Sequence, residues 1–343
     1  MLLIGVLAAC TTTESNGSGT PTSNVSPTVD TTSPTPSGTS AAGSEGTSGG
    51  TPTANTPAPP TPTGTPIPIP TQTPTPKFDA RDVLDDIETL AGDIGPREAT
   101  SKQFAEAANL VGKRLTKLGY EVSTESVKVP AGNSWGTPVK AGTSRNVIAD
   151  PRGFDDRKPH VVVVAHLDTV PVAPGAEDNA SGIAVMLELA RMAAATPPAT
   201  PVRFIAFGAE EPRGSGDALH HFGSQQHVAK LSKAERRAIE GVVALDRVGV
   251  RASYVPVCSA RTSGNSLRNR VRAAAKRVDV PTRGCSGNTT SDHWSYTKAG
   301  IPAIRLGSIP YAGYHSPADT PEVVDRRQLD RVGTVMWAWL KSL

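Results

Sequence analysis

Aromatic side chains are scarce and unevenly placed: the 343 residues hold 15, all at Phe78 or later. No Lys or Arg precedes Lys77, and the acids before it are Glu14, Asp30 and Glu45 alone. A segment this poor in aromatics cannot bury enough apolar surface to fold by itself. The 37% hydrophobic content therefore averages two different materials. The folded part is expected over residues 78–343, 266 positions, which is one large domain with chain enough for a sizeable core.

Cysteine is nearly absent as well. Cys10, Cys258 and Cys285 are too few for a disulfide-dense scaffold or a four-thiolate zinc cluster. Long apolar runs are missing from the start of the chain: Leu2–Ala9 is short, and a spanning helix needs roughly 20 residues. The net charge of +3 becomes +6 from Lys77 onward, with no dense Lys/Arg block, so no nucleic-acid partner is expected.

What is present near the start reads as an address and a spacer. Leu7-Ala8-Ala9-Cys10 resembles the bacterial lipobox, whose cysteine is diacylated after export. Residues 1–10 are thus read as a lipoprotein signal ending at Cys10. Residues 11–77, mostly Thr, Pro, Ser and Gly, are read as a disordered tether with an extended, semi-rigid Pro-rich end. The expected location is the extracellular face of the cell membrane, lipid-anchored or released as a secreted form.

The domain alternates helices and strands. Thr100 and Gln103 have capping-box spacing, and Phe104, Ala108, Val111, Leu115 and Leu118 recur at helical intervals. Tyr120–Val129 and Asn146–Ala149 read as strands, and Val161–Ala165 as a strand buried on both faces. Residues 180–195 read as a helix, Val202–Phe207 as a strand, Ser232–Ile239 as a helix and Val242–Leu245 as a strand. Leu267–Val278 reads as a basic-faced helix, Ile301–Leu306 as a strand and Leu329–Leu340 as a closing helix. The order indicates an α/β domain with a largely parallel sheet.

Polar residues cluster just after the strands. His166 and Asp168 follow Val161–Ala165, Glu210 and Glu211 follow Val202–Phe207, Asp246 follows Val242–Leu245, and His315 follows Ile301–Leu306 by a short loop. In open α/β sheets ligands bind beyond the carboxyl ends of the strands, so parallel neighbours would bring these groups into one crevice. Each alone has a plainer reading: Asp178, before the helix at 180–195, suits a helix N-cap. Together, imidazoles and carboxylates without thiolates suit Zn²⁺ or a similar ion. So many acids in one place would repel unless cations neutralise them, and two metals about 3.5–4 Å apart with a shared carboxylate would do so. Asp168 is spaced to bond the second ring nitrogen of His166, and of two adjacent glutamates one can bind metal while the other acts as general base.

Six segments in order then resemble the secreted di-zinc aminopeptidase family, which includes glutaminyl cyclases and glutamate carboxypeptidases. They are Ala165-His166-Leu167-Asp168-Thr169-Val170, Glu177-Asp178-Asn179-Ala180-Ser181-Gly182, Phe207-Gly208-Ala209-Glu210-Glu211, Ala244-Leu245-Asp246-Arg247-Val248-Gly249, Ser291-Asp292-His293 and Tyr314-His315-Ser316-Pro317-Ala318-Asp319-Thr320. The resemblance covers about residues 80–340. It implies a three-layer α/β/α fold around a mostly parallel mixed sheet, and two Zn²⁺ per chain. One zinc would take His166 and Asp246, the other Glu211 and His315, with Asp178 bridging. Glu210 would be the general base for a water held between the metals, Asp168 would orient His166, and a monomer would act on peptide substrates. The twelve-residue step from His166 to Asp178 matches the compact bacterial members.

There are departures from the pattern. The tyrosine some members carry before Ser-Asp-His is missing here, leaving Asn288 or Tyr311 as candidate substitutes. The link after Glu211 is lengthened by Pro212–Phe222, whose His220 and His221 read as solvated loop residues rather than pocket rim. Cys258 and Cys285 form a candidate disulfide, which export would permit.

Rival readings stay open. Gly132-Asn133-Ser134-Trp135-Gly136 fits the G-x-S-x-G of a serine hydrolase, but Thr137-Pro138-Val139-Lys140 is no helix, so a turn is expected there. A glutaminyl cyclase is the less favoured family alternative. A carboxypeptidase would need a cation for the substrate carboxylate, which Arg247 or Arg305 could supply. A non-catalytic binding lipoprotein is the alternative outside enzymes.

Overall fold

The structure is a computed structural model that describes residues 76–260 and 265–343. Cys10, and the expected tether apart from its last two residues, lie outside the described residues. Helix α1 (Ala80–Ile87) continues through a wider turn at Glu88–Ile94 toward α2 (Lys102–Lys117). Strand β1 (Glu121–Val129), a hairpin of β2 (Gly132–Ser134) and β3 (Thr137–Val139), β4 (Gly142–Asp150) and β5 (His160–His166) follow. Then come α3 (Ser181–Ala195), β6 (Val202–Phe207), α4 (Phe222–Lys230), α5 (Lys233–Ala238) and β7 (Ile239–Leu245). The remaining elements are β8 (Val255–Ser259), α6 (Asn265–Arg277), β9 (Thr282–Ser286), α7 (His293–Lys298), β10 (Ala303–Leu306) and α8 (Arg326–Leu340).

Eight strands form one sheet in the order β1-β4-β6-β5-β7-β10-β8-β9. The central four, β6, β5, β7 and β10, are mutually parallel, while β4 and β8 join them antiparallel. The sheet is therefore mixed with a parallel centre, as expected. Side chains alternate across it. Val161, Val163 and Ala165 face a core shared with α1, α2, α3, α6 and α8. Val162 and Val164 face a second core with Val228 of α4 and Tyr296 of α7. This is the three-layer α/β/α arrangement, and burial on both faces is why β5 is a continuous β-branched run. Among the described residues, no helix is long and apolar enough to cross a membrane.

Local chemistry differs from expectation at two caps. Ser101, not Thr100, caps α2 by accepting the Phe104 N–H at 3.0 Å. The Thr100 hydroxyl is drawn away to Glu98 Oε2 at 2.7 Å. At α3 the capping oxygen is Asn179 Oδ1, which accepts the Gly182 N–H at 3.0 Å, so Asp178 is free of that duty. The G-x-S-x-G segment is the β2–β3 hairpin, with Ser134 buried and paired across from Thr137, so it is a turn and not a nucleophile elbow. Cys258 and Cys285 are joined, bridging directly paired positions of β8 and β9.

Arg97 is fully buried and ties the loop after β5 in place. Its guanidinium donates to the carbonyls of Leu90, Gly95, Leu167, Pro174 and Gly175. Burial lowers its pKa to about 10, while Asp319, Asp168 and Asp178 pull the other way. At Gly182 the helix start packs directly on the end of β7. A methyl there would overlap the Leu245 carbonyl oxygen and the Asn179 amide. Gly182→Ala is expected to destabilise the domain by about 1–3 kcal/mol, the usual range for forced overpacking; an unchanged urea midpoint would contradict this close packing.

Candidate active site

The parallel centre delivers its polar residues to one crevice. His166 ends β5, Asp246 directly follows β7, and Glu210 and Glu211 follow β6. His166 Nδ1 donates to the Asp168 carbonyl oxygen at 3.1 Å. That bond turns Nε2 toward Asp178 Oδ1 at 3.2 Å and Asp246 Oδ1 at 3.8 Å. His315, in the left-handed region at φ 53°, brings Nε2 to 3.1 Å from Asp178 Oδ2 and 3.3 Å from Glu211 Oε2. Asp178 thus offers one oxygen to each imidazole. All five expected ligand residues meet, together with Glu210.

Asp168 behaves differently from expectation. It orients His166 through its main-chain carbonyl. Its carboxylate stands 3.9 Å from the ring and instead accepts the N–H groups of Glu210 at 2.9 Å and Glu211 at 3.1 Å. The acid therefore sets the Glu-Glu pair as well as the histidine. Asp178 is set in the same manner from outside: Asp319 accepts the N–H of Glu177 at 2.8 Å and of Asp178 at 3.1 Å. The Glu177 carboxylate accepts the N–H groups of Gly249 at 2.7 Å and Val250 at 3.1 Å, binding the loop after β7 to the segment before α3. The Asp178–Asn179 peptide is cis.

Sequence reasoning gave no role to Asp319, Glu177 or Asn179. Each lies in or beside a quoted segment, which is the signal that pointed to them, but acceptors for backbone N–H groups leave no spacing pattern. Arg305 is no partner for a substrate carboxylate, contrary to expectation. It is 1% exposed and its donors go to Asp246 Oδ1 at 2.8 Å, the Asp246 carbonyl, and the carbonyl and hydroxyl of Thr290. It is spent on the protein, while Arg247 lines the cleft with its guanidinium bonded to the Ser308 hydroxyl at 2.7 Å and lying over the Tyr314 ring at 4.2 Å. Neither Asn288 nor Tyr311 lines the cleft; Thr289, Thr290 and Tyr314 do. His221, contrary to expectation, is not a solvated loop residue. It is 4% exposed, with Nε2 3.2 Å from Glu210 Oε1.

Charge is the dominant stress here. Burial pushes Glu210 and Glu211 up to about 8, reinforced by the neighbouring Asp178. Burial opposes charge on His315, yet Glu211 and Asp178 outweigh it and raise the ring to about 10. His166 is likewise held well above its usual value by Glu210, Asp178 and Asp246 against the cost of burial. Burial works against the charge of Asp246 too, but Arg305 and His166 hold its carboxyl low. Protons on the rings thus stand in for cations among the carboxylates.

The donor set fits divalent metal. Ligand atoms of His166, Asp178 and Asp246 lie within 4.8 Å of one another, and so do those of Asp178, Glu211 and His315. Buried Glu211 Oε1 and His315 Nδ1 have no hydrogen-bond partner. The imidazole whose second nitrogen donates to a main-chain carbonyl is the usual dressing of a metal-binding histidine. The crevice opens into a cleft of about 550 Å³, walled by Trp135, Arg247, Trp294 and Tyr314. Trp135, at the tip of the β2–β3 hairpin, meets the His315 ring edge-on at 4.4 Å, and Tyr314 stacks on that ring at 3.7 Å.

Fold and site together define a three-layer α/β/α protein with a carboxylate–imidazole cluster at the carboxyl ends of its parallel strands. Residues 146–340 match the model of Peptidase family M28, and the chain belongs to that family. It is 34% identical over 206 residues to the aminopeptidase YwaD of Bacillus subtilis, covering 57% of this chain and 44% of YwaD. It is 28% identical over 260 residues to LpqL of Mycobacterium tuberculosis, named as a probable lipoprotein aminopeptidase, covering 71% of this chain and 47% of LpqL. The chain thus spans less than half the length of each of these relatives. Its fold superposes on a zinc aminopeptidase from Bacillus subtilis with a TM-score of 0.68 at 22% identity, over 78% of this chain and 96% of that one. A glutaminyl cyclase from Bacteroides thetaiotaomicron superposes with a TM-score of 0.67, also at 22% identity, over 78% and 99%.

Arg305 is a clear lever on this site. Arg305→Met is expected to destabilise the metal-free protein by about 3–5 kcal/mol, the cost of stranding a buried carboxylate. Urea unfolding reads the loss, and a wild-type midpoint would show that Asp246 does not depend on it.

Proposed function

We propose that the domain is a zinc-dependent aminopeptidase that removes N-terminal residues from peptides. The observation that carries this reading is Asp178, whose two carboxylate oxygens face two different imidazoles at 3.2 and 3.1 Å. In this reading one zinc is held by His166, Asp178 and Asp246, and a second by Asp178, Glu211 and His315. Bound there, such a pair supplies Lewis-acid polarisation of the scissile carbonyl and lowers the pKa of the attacking water.

The residues of the chain do the rest. Glu210 takes a proton from the attacking water as its oxygen bonds to the carbonyl carbon. It returns that proton to the amine as the C–N bond breaks. Glu210 is 8% exposed at the cleft wall, where a carboxylate can take up and release a proton next to the scissile bond. Asp168 holds Glu210 through its backbone N–H. The acids of the cluster line the cleft and suit a substrate's free ammonium group. One specific feature, Arg247 at the cleft wall, supports carboxypeptidase activity as the second reading.

The domain is carried outside the cell by a lipid on Cys10 and the tether at 11–77. The Leu-Ala-Ala-Cys run, the Thr/Pro-rich tract and the likeness to LpqL support this placement.

Glu210→Gln is expected to lower kcat by about 10²–10⁴-fold, the usual contribution of a general base, with metal content unchanged by elemental analysis. Peptides with free N-termini should be cleaved and acetylated ones spared. Cleavage that instead requires a free C-terminus would favour the carboxypeptidase. Chelation should abolish hydrolysis and lower the melting temperature, and Zn²⁺ should restore both; ligand at 100 times its Kd stabilises by about 2.7 kcal/mol. Full activity in the metal-stripped protein would overturn the reading.

A further inference from the structure

The segment after Glu211 leaves the end of β6 and returns to where it left. The Arg213 N–H donates to the Leu219 carbonyl at 2.8 Å, closing the loop on itself. The His221 N–H donates to the Glu210 carbonyl, and the Phe222 N–H to the Ala209 carbonyl, both at 2.8 Å. The loop is therefore tied at its base to the glutamate that precedes it.

His221 sits at that tie. Its backbone is in the left-handed region, φ 55° and ψ 36°, uncommon for any residue but glycine. This conformation turns the ring inward, where it is 4% exposed. Nε2 lies 3.2 Å from Glu210 Oε1. Nδ1 makes no hydrogen bond and stands 3.9 Å from Asp217 Oδ1 of the same loop. Asp217 is in turn anchored to Lys298 of α7 at 2.6 Å. Of the two ring nitrogens, Nε2 is the one that lies close to an acceptor, Glu210 Oε1.

We propose that His221 is a positioning residue for Glu210: its Nε2–H holds one carboxylate oxygen and leaves the other to receive the proton. This rests on reading Glu210 as the general base. The long link is then part of the machinery, since it delivers the ring that fixes the carboxylate. A carboxylate on three rotatable bonds inside a crowd of like charges needs such a hold, because misplacement of about 1 Å at a reacting group costs on the order of 100-fold in rate.

Two measurements test this. In zinc-loaded protein, His221→Phe should lower kcat by about 10–100-fold with KM within about twofold. His221→Gln, whose amide N–H can take the place of Nε2–H, should recover most of that loss, and metal content should match wild type in both. A His221→Phe enzyme with wild-type kcat, or a Gln variant no better than Phe, would overturn the proposal. In metal-free protein, ¹⁵N NMR of the imidazoles should find His221 protonated on Nε2, with a signal that moves in Glu210→Gln. The Nδ1–H form would overturn it without reference to turnover. Should the wild type hydrolyse no peptide at all, the aminopeptidase reading fails, and the NMR result decides the His221–Glu210 bond separately.

Discussion

Asp178 stands between two imidazoles in a pocket where Glu210, Glu211 and Asp246 also lose most of their water. Taking several carboxylates out of water at short range is among the costliest arrangements a fold can hold. Much of the surrounding architecture answers that cost. Asp319 and Asp168 accept backbone N–H groups and lock the segments that carry Asp178 and the Glu pair. Arg305 holds Asp246, Arg97 ties down the loop after β5, and protons on His166 and His315 supply positive charge. The same crowding that is hostile to an empty cluster makes it receptive to divalent ions. Divalent ions bound there would relieve the repulsion that the carboxylates otherwise impose on the fold.

The sheet makes this arrangement achievable. Four parallel neighbours end at nearly the same level, so residues dozens of positions apart arrive within hydrogen-bonding reach. The long links are not passive. The segment before α3 carries Asp178, and the segment after β6 folds back on its own origin and closes one wall of the cleft. The rigid part supplies level and direction, and the links supply final aim.

How much could be read from the chain alone follows from which forces leave a pattern. Val161–Ala165 shows as an unbroken β-branched run because β5 is buried on both faces. The polar residues after the strands were legible because a parallel sheet places ligands there. The cap of α2 lies one position beyond the one the sequence pattern suggests, since Thr100 and Ser101 are chemically alike and only Glu98 claims the threonine hydroxyl. Strand β9, Thr-Arg-Gly-Cys-Ser, has no apolar alternation and is mostly exposed; pairing with β8 makes it a strand, not its own composition. Asp319, Glu177 and His221 escaped for a related reason. Asp319 and Glu177 accept backbone N–H groups distant in sequence, and the inward turn of His221 comes from a left-handed backbone that composition does not announce.

The bridge between Cys258 and Cys285 sits at the last two strands of the sheet, where β9 pairs among the described residues with β8 alone. An outermost strand presents unpaired main-chain groups and invites peeling or pairing with strangers. A covalent clasp there holds the sheet's margin closed without demanding apolar residues that would make it sticky. Such clasps endure in oxidising surroundings and are lost in reducing ones. The integrity of this border is therefore coupled to the redox character of the compartment in which the protein resides.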